Sequence, residues 1–300
     1  MKEEDPNWLM GFQLIDDRDN QTTLISHEQY ISSVLKRFSM LEAAPVSTPM
    51  EAGLSLSVED GPLSHKDKEA MSVYPYHELV GSLTWISMIS RPDILFAASY
   101  LGRYFVNPGM KHWKAALHVL HYLSGTHRYC LALGDDPTND KALDLTGWSD
   151  ADWAMDVDMC RSVSGYIFRL GSRTVTASSK RQSNVAKLST EAEYTAASYA
   201  ASEGMWIRYL LEDLGVDFTN VPTPLHIDNT ATISIMKDPH FHSKMRHVSV
   251  SQNFIRKQVE EGTFITTYVP TKQMIADRLT KPLAREAFKQ MVTAMGLTSS

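Results

Sequence analysis

The sequence holds only two cysteines, Cys130 and Cys160, and no CxxC pair. That excludes a disulfide framework and a cysteine-rich zinc site, and it fits a reducing compartment. The chain also lacks a run of about 18 apolar residues of the kind that crosses a bilayer. Its most apolar stretch, Ile94 to Val106, is interrupted by Arg103. The first residues, Met1-Lys2-Glu3-Glu4-Asp5, are acidic and carry no apolar core, so no secretory signal is read there. A soluble intracellular protein with no membrane partner is expected. Internal repeats are absent as well.

What is present is ordinary globular material. The 300 residues are 43% hydrophobic, 21% charged and 9% aromatic, which is enough for a sizeable core and about two domains. A net charge of -6 at first argues against a nucleic-acid partner. The charge is unevenly spread, however. Residues 1–140 hold 11 Lys+Arg against 18 Asp+Glu, residues 141–300 hold 18 against 17, and residues 237–289 hold 10 against 5. The whole-chain value therefore does not decide the partner.

Along the chain, Trp8 to Asp16 and Thr22 to Ile25 read as strands about a turn, and Ser26 can cap a helix over 27–38. Pro45, Pro49, Pro62 and Pro75 make 44–75 an extended connector. Helices are expected over 77–89, 92–105 and 110–123. The turn-rich segment Gly134 to Asp140 marks the domain boundary, which predicts one domain over 1–140 and a second over 141–300. The second reads as strands over 143–153, 164–170 and 173–178, a long helix over 191–214, and a strand over 224–227. Helices over 230–237 and 248–261, a strand over 264–269 and a helix over 282–295 complete it. The order implies an α/β mixed sheet with helices packed on it.

Acidic residues recur at the ends of these elements. In Gly147-Trp148-Ser149-Asp150-Ala151-Asp152-Trp153, strand alternation puts Asp150 and Asp152 on one face. Two carboxylates there are costly unless paired, exposed or bound to a cation. A strand end surfacing into solvent is the simpler account of either alone. Thr190 and Glu193 satisfy the T-x-x-E capping pattern, which is a sufficient structural account of Glu193. Glu191 falls in the first helical turn, where the helix dipole favours a carboxylate. Asp228 ends a strand and precedes a helix, a common place for ligand chemistry in α/β sheets, although capping by Asp228 or Asn229 also explains the pattern. Asp277 has Arg278 or Lys281 as possible ion-pair partners.

Taken together, GWSDADW (147–153), SVSGYIFRL (162–170), SSKRQSNVAKLSTEAEY (178–194), HIDN (226–229), HFHSKMRH (240–247) and YVPTKQMIADRLTKPL (268–283) resemble the ribonuclease H domain of copia-type retrotransposon Pol polyproteins. The front half, including Pro45-Val46-Ser47-Thr48-Pro49, Arg91-Pro92-Asp93-Ile94 and His112-Trp113-Lys114, is similar to the segment after the polymerase site of the same polyproteins. The resemblance implies a ribonuclease H-like five-stranded mixed sheet with flanking helices. Before it comes a mainly helical, reverse-transcriptase thumb- or connection-like region. It implies hydrolysis of the RNA strand of an RNA/DNA hybrid, and a polymerase subunit or the rest of a polyprotein as partner. The setting would be a cytoplasmic virus-like particle or the nucleus.

By the same resemblance the catalytic and metal-binding quartet is Asp150, Glu191, Asp228 and Asp277, holding two Mg²⁺ ions, with Mn²⁺ as a substitute. Asp150 would bridge both ions, Asp228 and Asp277 would serve the water-activating side, and Glu191 the leaving-group side. Four carboxylates suit hard cations without help from His or Cys. Many ribonucleases H carry a His in the loop before the last Asp. That loop here reads Pro270-Thr271-Lys272-Gln273, which bears on turnover more than on metal binding.

Substrate contacts are assigned to Lys180, Arg181, Lys244 and Arg246 for phosphates, and to Ser179, Asn229 and Thr230 for the 2′-hydroxyl that separates RNA from DNA. An aromatic-x-Asp-Asp polymerase turn is missing; Leu14-Ile15-Asp16-Asp17 has Leu in the aromatic place. His118 and His121 are read as packing or surface residues, not zinc ligands, and Trp148 and Trp153 as packing residues. The alternative function is a catalytically inactive, transposon-derived nucleic-acid-binding or interaction remnant.

Overall fold

A computed structural model describes residues 7–134, 143–218, 220–237 and 250–299. In chain order it contains β1 (Trp8–Leu9), β2 (Phe12–Asp17), β3 (Thr22–Ser26), α1 (Glu28–Arg37), α2 (His65–Ser72), α3 (Tyr76–Ile89), α4 (Leu95–Gly102), α5 (Met110–Thr126) and β4 (Tyr129–Leu133). There follow β5 (Leu145–Asp152), β6 (Val163–Leu170), β7 (Arg173–Arg181), α6 (Ser189–Asp213), β8 (Thr223–Ile227), α7 (Thr230–Lys237), α8 (Val250–Glu260), β9 (Phe264–Tyr268), α9 (Arg285–Ala294) and β10 (Leu297–Ser299). None of the helices, among the described residues, is long and apolar enough to cross a membrane.

The chain forms two compact units, one comprising 1–140, 172–174 and 282–300, the other 141–171 and 175–281. This differs from an expected second domain running to residue 300. The tail folds with the first unit because β10 pairs antiparallel with β4 and Phe288 packs edge-on against Tyr122 at 5.4 Å. Most of the expected boundary turn, Asp135 to Asp140, lies outside the described residues.

The first unit joins helices to an antiparallel sheet of order β1-β2-β3-β4-β10. Its core draws Ile31 and Leu35 from α1, Leu79, Leu83 and Ile86 from α3, and Val119, Leu120 and Leu123 from α5. Inside it Arg91 is fully buried and donates to both oxygens of Asp93, at 2.9 and 2.7 Å, and to Thr126 O at 2.7 Å. The hydroxyl of Tyr122 donates to Asp93 at 2.6 Å, so the buried ion pair is fully satisfied. The connector is not wholly extended: Ser64 and Asp67 cap each other reciprocally and start α2, an S-x-x-D signal within the proline-rich stretch. His118 and His121 hold that stretch in place, donating to Thr48 O at 3.0 Å and Ala44 O at 2.9 Å.

The second unit is a five-stranded mixed sheet of order β7-β6-β5-β8-β9 with flanking helices, the mixed α/β architecture expected. β5 pairs antiparallel with β6 and parallel with β8, which in turn runs parallel to β9. α6 covers the face that carries Leu145, Phe168, Leu225, Ile227 and Phe264, contributing Tyr194, Ala197, Ala200, Ala201 and Ile207. Its small residues permit close approach. A Cβ at Gly204 would lie 2.8 Å from the rings of Phe168 and Phe264, so the absence of a side chain lets the helix sit down on the sheet.

Candidate metal centre

The site lies where β5 and β8 part company. Their ladder pairs Gly147 with Leu225 and Trp148 with His226. Continuing that register by two residues sets Asp150 beside Asp228, at the carboxyl ends of two parallel neighbours. Such a crevice is where mixed α/β sheets present chemistry.

Asp150, Glu193 and Asp228 each place a carboxylate oxygen within 4.8 Å of the other two. Asp150 is 4% exposed and Glu193 is 7% exposed. Burial, then the nearby Asp277, pushes the Asp150 carboxyl well above the usual carboxylate range. Burial also raises Glu193, reinforced by Asp150, Asp228 and Asp277. The cause in both cases is one arrangement: like charges crowded together in a low-dielectric setting. Asp152 is raised too, mainly by burial.

The fourth acid, Asp277, comes from a 3-10 turn that follows β9. Gly165 pairs with Asp150 across the β5–β6 ladder, and a Cβ there would come within 2.8 Å of Ala276 O and 3.0 Å of Leu279 Cβ. Glycine at 165 thus allows the 3-10 turn Ala276–Leu279 to lie against the strand. That turn brings Asp277 into electrostatic range of Asp150, and the following Thr280 donates to Asp150 Oδ2 at 2.9 Å. Lys281 Nζ pairs with Asp277 Oδ1 at 2.5 Å. Thr271 donates to Asp228 Oδ2 at 2.7 Å, so two of the acids have hydroxyl groups fixing their orientation.

Glu191 is not brought to the cluster. Its Oε2 accepts from the backbone N–H of Lys187 at 2.8 Å, bracing the loop before α6. Glu193 takes the position near Asp150 instead, with a hydrogen bond to the Ala151 backbone, while its Oε2 is buried without a hydrogen-bond partner. The capping pattern from Thr190 to Glu193 is not formed, because α6 begins one residue before Thr190, with Leu188 as its cap position. The signal that distinguishes the two glutamates is helical phase. Ala192 and Ala196 pack with Ala151, and Glu193 follows Ala192 towards the strand end.

The substrate candidates are scattered. Arg181 is tied to buried Asp156 at 2.6 Å, and Lys180 is exposed with its ammonium 5.9 Å from the Tyr199 ring. Ser179 is buried, and Asn229 Oδ1 caps α7 by accepting from Thr232 N at 3.0 Å. Thr230, the first residue of α7, is exposed. Lys244 and Arg246, with His240, His242 and His247, lie outside the described residues. Trp148 packs at a tilt against the His226 ring, with centroids 5.0 Å apart, whereas Trp153 is 51% exposed and donates its indole N–H to Ala186 O at 3.0 Å. Exposure at Trp153 departs from the packing role expected of it.

Sheet order and clustered acids together define a mixed α/β domain with a candidate metal centre, in a chain that also holds a second compact unit. No protein-family model matches the chain. It is 34% identical over 293 residues, 97% of its length, to the "Retrovirus-related Pol polyprotein from transposon TNT 1-94" of Nicotiana tabacum. Over 294 residues, 98% of its length, it is 36% identical to that from transposon RE2 of Arabidopsis thaliana. The chain belongs to the copia-type retrotransposon Pol polyproteins and fits a C-terminal portion of them. It spans 22% and 19%, about a fifth, of the length of those two relatives. Among solved structures, the ribonuclease H1 LC11 isolated from compost aligns with a TM-score of 0.33 at 16% identity, covering 50% of this chain and 99% of that one.

Proposed function

We propose that this chain carries out the ribonuclease H step of retrotransposon reverse transcription, hydrolysing the RNA strand of an RNA/DNA hybrid with divalent metal ions. The observation that carries the reading is the convergence of Asp150, Glu193 and Asp228 at the carboxyl ends of β5 and β8, with Asp277 alongside. The donor set fits Mg²⁺, with Mn²⁺ as a substitute: every ligand is a hard oxygen, and a buried Glu193 oxygen is left without a partner. Crowded buried carboxylates cost free energy until a cation offsets them.

Two such ions, once bound, supply an activated water and stabilise the departing oxygen of the cleaved phosphodiester. The chain's own residues do the positioning. Thr280 holds Asp150, Thr271 holds Asp228, and the Ala151 backbone holds Glu193, so the ligand oxygens face one volume before any ion arrives. Exposed Lys180 is suited to phosphate contact of the salt-dependent, sequence-independent kind, and Thr230 offers a hydroxyl for the ribose 2′-OH. Lys244 and Arg246 remain phosphate candidates by sequence. Since the chain matches about a fifth of its relatives, the rest of such a polyprotein is the natural partner for delivering the hybrid.

A labelled RNA/DNA hybrid incubated with the chain and Mg²⁺ tests the reading. Shortening of the RNA strand that stops with EDTA and with Asp150→Asn is expected. Binding without cutting would instead support an inactive nucleic-acid-binding remnant.

A further inference from the structure

We propose that Lys281 is a tethered counter-cation that occupies the Asp277 side of the carboxylate cluster and yields it to a divalent ion, so that this lysine sets the metal affinity of the site. The inference rests on the reading of the cluster as a metal centre. The segment from Asp277 to Lys281 presents three groups in succession to the cluster. Asp277 contributes a carboxylate, Thr280 a hydroxyl bonded to Asp150, and Lys281 an ammonium 2.5 Å from Asp277 Oδ1. The Thr280 hydroxyl, which also donates to Asp277 O at 2.8 Å, fixes the backbone between the two charges. The ion pair is therefore held by the turn and not merely by two mobile side chains.

An ordinary exposed pair of this spacing contributes little. This one differs because Lys281 is half-buried and its partner Asp277 stands on the same turn as Thr280, which bonds Asp150. Its ammonium, paired with Asp277 there, therefore lies close to the cluster. A metal-free cluster thus already has one built-in positive charge. A divalent ion ligated by Asp277 would compete with Lys281 for the negative charge of that carboxylate, so the two cations oppose one another there, and each weakens the other by the same factor.

Calorimetric Mg²⁺ titration and thermal melting in EDTA of the full chain, alongside Lys281→Met, Lys281→Gln and Lys281→Arg, test the proposal. Lys281→Met and Lys281→Gln should melt lower in EDTA yet bind Mg²⁺ about tenfold more tightly, as expected for removing one positive charge from a partly screened site. Lys281→Arg should restore both values towards wild type. The glutamine variant keeps the test available if methionine prevents folding. Unchanged or weaker Mg²⁺ binding in the neutral variants, with the wild type binding normally, would make Lys281 a structural prop and overturn the proposal alone. Failure of the wild type to take up Mg²⁺ would remove the metal reading and this inference with it.

Discussion

Replacing Glu193 and Glu191 separately by glutamine distinguishes two carboxylates that sit two residues apart on the same helix. Glu193 is buried beside Asp150 and Asp228, whereas Glu191 accepts a backbone hydrogen bond at the loop before α6. Because burial and the neighbouring acids raise the Glu193 carboxyl, the folded state holds its proton more tightly than the unfolded chain does. The sign follows. Below the ordinary carboxylate range, near pH 3, both states are protonated and there is no penalty, and at pH 4 the penalty is still small. As pH rises through that range and on towards the raised folded value, the unfolded chain ionises first and stability falls.

Each pKa unit of such a shift corresponds to about 1.4 kcal/mol. Glu193→Gln should therefore make the metal-free protein more stable at pH 8 by at least about 1.4 kcal/mol, and change it little at pH 4. Urea unfolding in EDTA at the two pH values reads this directly. The same variant should lower hybrid cleavage by more than about a hundredfold, since even residues that only orient metal ligands cost 10–100-fold. Glu191→Gln should leave the pH dependence of stability unchanged and cleavage within a small factor of wild type. An inactive Glu191→Gln beside an active Glu193→Gln would refute the reasoning, as would a Glu193→Gln protein with no stability gain at pH 8.

Two further outcomes follow from packing. Gly165→Ala puts a methyl against Ala276 O and Leu279, so the turn carrying Asp277 must shift; a loss of about 1–3 kcal/mol in urea unfolding and a weaker Mg²⁺ affinity by calorimetry are expected. Arg91→Met strands buried Asp93 with only the Tyr122 hydroxyl, and denaturant unfolding of the first unit should show a loss of about 3–5 kcal/mol.

Much of the second unit was legible from residues alone, because its elements advertise themselves by pattern. Asp150 could be placed on a strand and Asp228 at a strand end because alternation and the following helix start are local properties. The choice between Glu191 and Glu193 was not local. T-x-x-E offers Glu193 a self-contained capping role, and only the packing of Ala192 and Ala196 on Ala151 sets the helix phase that turns Glu193 inwards. The destination of the tail was also hidden, since Leu297–Ser299 is too short to read as a strand without its partner β4. Gly165 looked like an ordinary strand residue, and its significance depends on a turn more than 100 residues later in the chain.

Anomalous diffraction from crystals of the chain soaked in Mn²⁺ tests the central claim most directly. The account predicts peaks at ligand distances of about 2.0–2.2 Å from carboxylate oxygens of Asp150, Glu193 and Asp228, with Asp277 drawn in and Lys281 released. Absence of any peak at these residues, or a peak held by Glu191 in place of Glu193, would contradict it.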